Sequence, residues 1–177
     1  FNMLGGINGQ AATYTALIFL ILIFRDIFPM FLTLLTFILF IYIFYNLKNL
    51  MFLGDSGSLI IGFLISYICI KAYNRGYIIY PDEIYLIMCI PGYELLRLFI
   101  KRISLRRNPF TADRNHMHHY LLKKFSLLNT FLIMQILFFS PIFSFLILKN
   151  TYISVFISLL FYLLLLILLT KKNNFIK

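Results

Sequence analysis

Apolar residues run along this chain in long blocks separated by short polar joins. A helix that crosses the hydrocarbon of a bilayer needs about 20 such residues, within a range near 17–25. Six blocks qualify or come close: about 10–24, 27–46, 57–72, 83–100, 127–148 and 152–170. The first is short, and Arg25-Asp26-Ile27-Phe28-Pro29 predicts a tight turn into the second. The third lengthens if it starts at Asp55, whose carboxylate would then cap the helix N-terminus. Pro91 and Pro141 predict kinks in the fourth and fifth blocks. The expected fold is therefore all-α, a polytopic transmembrane helical bundle of about six spans.

Composition agrees. Hydrophobic residues make up 62% of the 177 and charged residues only 12%, with a mean hydropathy of +0.91. A soluble domain is usually nearer half apolar and a quarter charged. With 21 Phe and no Trp, Tyr is left to supply any interfacial aromatic belt. Cys69 and Cys89 both lie inside apolar blocks, where packed thiols are expected rather than a disulfide. The net charge of +10 does not point to nucleic acid, because the basic residues are divided among loops. Alternating six spans puts Lys48, Arg97, Lys101, Arg102, Arg106, Arg107, Arg114, Lys123, Lys124, Lys171, Lys172 and Lys177 on one side, 12 of the 16 Lys and Arg. By the positive-inside rule that side is expected to be cytoplasmic.

Three segments on that side carry unusual chemistry. Asn2-Met3-Leu4-Gly5-Gly6-Ile7-Asn8-Gly9 is a Gly-rich turn entering a helix, by itself a weak signal. In Phe52-Leu53-Gly54-Asp55-Ser56-Gly57-Ser58-Leu59, Asp55 reads either as a helix cap or as a ligand for Mg²⁺. Magnesium prefers hard oxygen donors and often bridges to phosphates. The third, Pro109-Phe110-Thr111-Ala112-Asp113-Arg114-Asn115-His116-Met117-His118-His119, holds all three histidines of the chain. Zinc is disfavoured there, since no nearby Cys or Glu completes a tetrahedral set. If the segment is helical, His116 and His119 share a face; if it is extended, His116 and His118 align. Histidines among Arg106, Arg107 and Arg114 suit a phosphorylated ligand, and a basic loop resting on anionic lipid is the other reading.

In this order and at these spacings the three segments resemble the polyprenyl-phosphate N-acetylhexosamine-1-phosphate transferases (glycosyltransferase family 4), membrane enzymes that start lipid-linked assembly of cell-wall and surface polysaccharides. Phe1–Gly9 looks like the family's Asn-rich loop, Phe52–Leu59 like its Gly-Asp-x-Gly-Ser loop, and Pro109–His119 like its late histidine loop. The form Pro-Phe-x-x-Asp-Arg-x-His-x-His-His is closer to the bacterial N-acetylglucosamine-type branch than to the muramyl-pentapeptide branch. Gly5 stands where most bacterial members carry Asp; a small residue there resembles the eukaryotic branch.

The resemblance implies a Mg-dependent transferase, with Mn²⁺ as a substitute, in a bacterial inner membrane with its motif loops facing the cytoplasm. It would move a HexNAc-1-phosphate, in the first instance GlcNAc-1-phosphate, from a UDP-N-acetylhexosamine to undecaprenyl phosphate, releasing UMP. Asp55 would hold the metal with Asn2 as second ligand, Phe52 would stack on the uracil, and Asn8 would lie close to the base. His116, His118 and His119 with Arg114 would contact the nucleotide diphosphate or position the sugar phosphate. The family has more spans than six, so residues 1–177 are expected to be the C-terminal part of a single integral membrane transferase domain. On that expectation the fragment alone is inactive. Membrane lipid is the expected surrounding partner, and a homodimer is left open. Two other classes stand beside this: a degenerate homologue acting as a scaffold, and a transporter or flippase component for a polyprenyl-linked anion. The latter needs ionisable groups at mid-membrane, whereas Glu94 and Arg97 fall in the last turns of the fourth block.

Overall fold

The computed structural model describes residues 6–78, 80–109 and 115–171. Their regular structure is helical throughout: α1 (Gln10–Phe24), α2 (Pro29–Leu47), α3 (Gly54–Asn74), α4 (Pro81–Ser104), α5 (Met117–Leu122), α6 (Leu127–Leu148) and α7 (Thr151–Lys171). Each of the six apolar blocks is one helix, and α5 is an added short turn inside the histidine loop. Four helices, α2, α3, α6 and α7, are long and apolar enough to cross a membrane, which marks a multi-pass membrane protein. That is fewer than the expected six, for two reasons. The 15 residues of α1 reach only about 22 Å at 1.5 Å per residue, short of the hydrocarbon thickness. The 24 residues of α4 include Asp82, Glu83, Glu94, Arg97, Lys101 and Arg102, too much charge for a plain span.

The chain divides into two compact units, residues 1–84 and 85–177, with the division in the first turn of α4. In the first unit α1 packs against α2 and buries Ala11, Ala12, Tyr14, Ile18, Phe19 and Leu22. The expected tight turn between them is present: Asp26 and Phe28 adopt left-handed φ values of 57° and 45°, and Ile27 is fully buried. Pro29 then opens α2, where its fixed φ and missing N–H cost nothing. Arg25 pairs with Glu83 at 2.6 Å. Along α2, Phe31, Leu34, Phe37, Ile38, Ile41 and Phe44 are exposed, the outward face expected of a helix in lipid.

Hydroxyls inside the helices bond back to their own backbone, as Thr15 to Ala11 O (2.8 Å), Thr36 to Leu32 O (2.7 Å) and Ser66 to Gly62 O (2.9 Å). In hydrocarbon a polar group must find its partner within the protein.

In the second unit α6 and α7 pack together. Ser126 caps α6 by accepting from Asn129 N–H, and Asn150 Oδ1 accepts from Ile153 N–H at the start of α7. One stripe of α7 (Ser154, Ser158, Tyr162) is buried and meets α4, where Tyr93 donates to Val155 O at 3.1 Å and Cys89 lies 3.5 Å from Ser158 Oγ. Helices α4 and α6 each run continuously through their internal prolines, Pro91 and Pro141. Cys69 and Cys89 are buried free thiols.

Candidate functional site

The first site lies wholly in the first unit. Asn46, in the last turn of α2, is 4% exposed. Its Oδ1 accepts from Gly9 N–H, and its Nδ2 donates to Met51 O at 2.5 Å. Beside it Asn8 Nδ2 donates to Asn49 Oδ1 at 2.5 Å. These bonds tie the loop before α1 to the loop between α2 and α3. Between the two loops is a pocket of about 200 Å³, lined by Asn8, Tyr42, Asn46, Phe52, Asp55 and Ser58 among others.

Asp55 is in the first turn of α3 but does not cap it. The cap position is Leu53, with no side-chain hydrogen bond, because Gly54 turns the chain with φ +63° before the helix proceeds. The expected capping role is thus overturned. The carboxylate is exposed, and no described residue is seen to pair with it. Phe52, 72% exposed, offers an apolar ring at the rim of the same pocket.

Gly54 has open space where a Cβ would be, so Gly54→Ala adds strain without a clash. It is expected to cost about 1–2 kcal/mol, the usual penalty for left-handed backbone with a Cβ. Gly54→Asn, which tolerates that region better, should cost less; chemical unfolding of the two variants reads the difference.

The second site lies wholly in the second unit. His116 precedes α5 in extended conformation, with φ −69° and ψ 152°. Its ring stacks on His118 at 5.5 Å and 12°, while His119 stands edge-on to His118 at 4.1 Å. The two geometries weighed from sequence are therefore combined: an extended residue followed by a helical turn. His118 is 4% exposed and its Nε2 has no hydrogen-bond partner among the described residues.

Burial, and then the neighbouring His119 and His116, push the His118 pKa down to about 4, with Glu94 opposing. An unfolded histidine takes up its proton near ~6.5. The stability contributed by neutral His118 is therefore fully present above about 6.5 and is lost as the pH falls toward about 4. Acidification from about pH 7 to about pH 5 is expected to speed amide exchange in Met117–Leu122 beyond the intrinsic change. In His118→Phe that excess should vanish.

Glu94 holds the histidine segment in place. It is 8% exposed and accepts from Met117 N–H (2.7 Å), from Arg97 (2.8 and 3.1 Å) and from Tyr162 Oη (2.5 Å). Arg97 also donates to Asn115 O at 2.6 Å and to Tyr162 Oη at 2.9 Å. His116 Nδ1 lies 3.7 Å from Glu94.

Asn2, Gly5 and Arg114, three positions singled out from the sequence, lie outside the described residues. Sequence reasoning picked Asn8, Phe52, Asp55 and the histidines, and missed Asn46 as a clamp and Glu94–Arg97–Tyr162 as a hub. A signal existed for both: a lone Asn ending an apolar block, and a carboxylate–guanidinium pair inside one, each costly in a membrane unless used.

As for a metal, no group of three or more His, Cys, Asp or Glu that could hold one gathers among the described residues. The exposed Asp55 carboxylate, with amide groups lining the same pocket, suits a hard cation that draws other ligands from phosphate and water.

Several helices of spanning length mark a multi-pass membrane protein. Comparison with curated proteins narrows the class. Part of the chain is similar to proteins named undecaprenyl-phosphate alpha-N-acetylglucosaminyl 1-phosphate transferase. It is 31% identical over 77 residues to that of Haemophilus influenzae, covering 43% of this chain and 22% of the relative. With that of Thermotoga maritima it is 32% identical over 84 residues (48% and 28%), and with that of Escherichia coli K12 30% over 74 residues (41% and 20%). The matches span 20–28% of the length of these curated relatives. No family model and no solved structure matches the chain. The similarity supports the family that the three motifs resemble, the polyprenyl-phosphate N-acetylhexosamine-1-phosphate transferases.

Proposed function

We propose that the protein containing this chain transfers GlcNAc-1-phosphate, or a closely related HexNAc-1-phosphate, from a UDP-sugar to undecaprenyl phosphate at the cytoplasmic face of a bacterial inner membrane. The observation that carries this is the Asp55 pocket. An exposed carboxylate, an exposed aromatic ring and amide side chains line one cavity, the set of groups that a metal-bound nucleotide diphosphate requires, in a chain whose relatives are named for this transfer.

In the reaction a lipid phosphate oxygen attacks the β-phosphorus of the UDP-sugar. A new P–O bond forms, the bond from that phosphorus to the bridging oxygen breaks, and UMP leaves with the electron pair. Phe52 stacks on the uracil and Asn8 lies near the same base. Asp55 is the metal-holding carboxylate, with Asn2 as a second oxygen donor. Magnesium bound there, or manganese in its place, would supply neutralisation of the charge growing on the UMP leaving group. His116, His118 and His119, with Arg114, serve the sugar phosphate as hydrogen-bonding and charge partners. Glu94 and Arg97, an ion pair within α4, are committed to the histidine segment, which lends a transport pathway no support.

The test is UMP release by membranes holding the full-length protein, given UDP-N-acetylglucosamine with and without undecaprenyl phosphate and EDTA. Release that needs both the lipid and the metal is expected. Absence of release from folded protein across UDP-HexNAc donors contradicts the proposal.

A further inference from the structure

Glu94 is a buried carboxylate, 8% exposed, and its bonds reach further than those of a simple ion pair. It joins three elements: its own helix through Arg97, α7 through Tyr162, and the first residue of α5 through Met117 N–H. Arg97 completes the arrangement by holding Asn115 O. The backbone is thus gripped at a carbonyl before His116 and at an N–H after it, and His118 and His119 follow within the same turn.

A buried ion pair contributes little net stability, since desolvation offsets most of its attraction. Its value here lies in where it holds the loop. We infer that Glu94 is a positioning residue, which through Met117 N–H and Arg97 sets the register of the three histidines against α4 and α7. Its meaning for phosphosugar transfer rests on the function proposed above; its grip on the loop does not.

The two charges of the pair are not interchangeable in this role. Glu94 accepts from an N–H and Arg97 donates to a carbonyl. Exchanging them restores an ion pair but sets a guanidinium against an N–H and a carboxylate against a carbonyl, so neither backbone grip survives.

The experiment uses the full-length protein in detergent, with diethyl pyrocarbonate as probe and peptide mass spectrometry to follow His116, His118 and His119 separately. In the wild type His118, 4% exposed, should be the slowest to react. Glu94→Gln is expected to speed modification of His118 roughly tenfold through local opening of α5. It should also lower kcat/KM for the UDP-sugar by about tenfold or more, as misplaced binding groups do. The exchange Glu94→Arg with Arg97→Glu should recover thermal stability over Glu94→Gln without recovering slow modification or transfer.

Wild-type protection of His118 in Glu94→Gln overturns the inference. So does an exchange variant that regains both protection and transfer, or a loosened loop with unchanged kinetics. Should Glu94→Gln fail to fold, Tyr162→Phe, which removes the one hydroxyl that donates to Glu94 and accepts from Arg97, is read by the same criteria. A wild type that protects His118 but transfers nothing would sink the proposed function alone, and the modification rates would still decide whether Glu94 holds the loop.

Discussion

Asp55→Asn in the full-length protein is expected to lower UMP release by about two to three orders of magnitude, the range typical when one preorganised electrostatic group is lost. The folded fraction and the thermal midpoint should stay close to wild type. Both halves follow from the position of the residue. Asp55 is exposed in the first turn of α3, caps nothing, and pairs with no described residue, so the amide replaces it at little structural cost. What the amide lacks is the negative charge that a hard cation and a nucleotide diphosphate require at this pocket. UMP release with purified variant, beside its thermal unfolding curve, separates the two effects. Near-normal turnover would remove Asp55 from the metal.

Asn46→Ala should behave in the opposite way, with loss of structure first and of transfer as its consequence. One side chain satisfies Gly9 N–H and Met51 O, on two loops that together wall the pocket. Truncation strands both groups, and each buried polar group left without a partner costs about 1–3 kcal/mol. A loss of roughly 2–3 kcal/mol is therefore expected, since only the Gly9 bond is fully buried. Amide exchange should quicken in residues 7–10 and 49–53 while the middle of α3 keeps its protection. Asn46→Asp keeps the acceptor for Gly9 N–H and sets an oxygen against Met51 O, so it should fall between. Unchanged exchange in both loops would show that Asn46 is not the clamp.

Much of the fold was legible in the sequence because the bilayer imposes a coarse, strong pattern. Every apolar block became a helix, and Pro29 and Gly54 account for two of the starts that moved. Pro29 opens α2 two residues after the expected 27, and the left-handed Gly54 begins α3 before Asp55, which removes the carboxylate from the cap. The number of spans was less legible, because α4 extends to Ser104 on charged residues that a hydropathy count stops short of. The candidate site was readable only where its residues are contiguous. Phe52 and Asp55 share one motif, and the histidines share another. Asn46 meets Gly9 across 37 positions, and Glu94 meets Met117 across 23. Neither partnership has a local signature; each is a tertiary contact between a helix and a segment from elsewhere in the chain.

The most direct measurement follows two labels on one donor. Full-length protein in bacterial membranes would receive undecaprenyl phosphate, Mg²⁺ and UDP-N-acetylglucosamine labelled in both the sugar and the β-phosphate. Transfer of the phosphosugar carries both labels into the lipid fraction in equal proportion and leaves unlabelled UMP in the water. Sugar label reaching the lipid without the phosphate label would mean a different bond is broken. Neither label moving, from folded protein with the lipid present, would contradict the transfer itself.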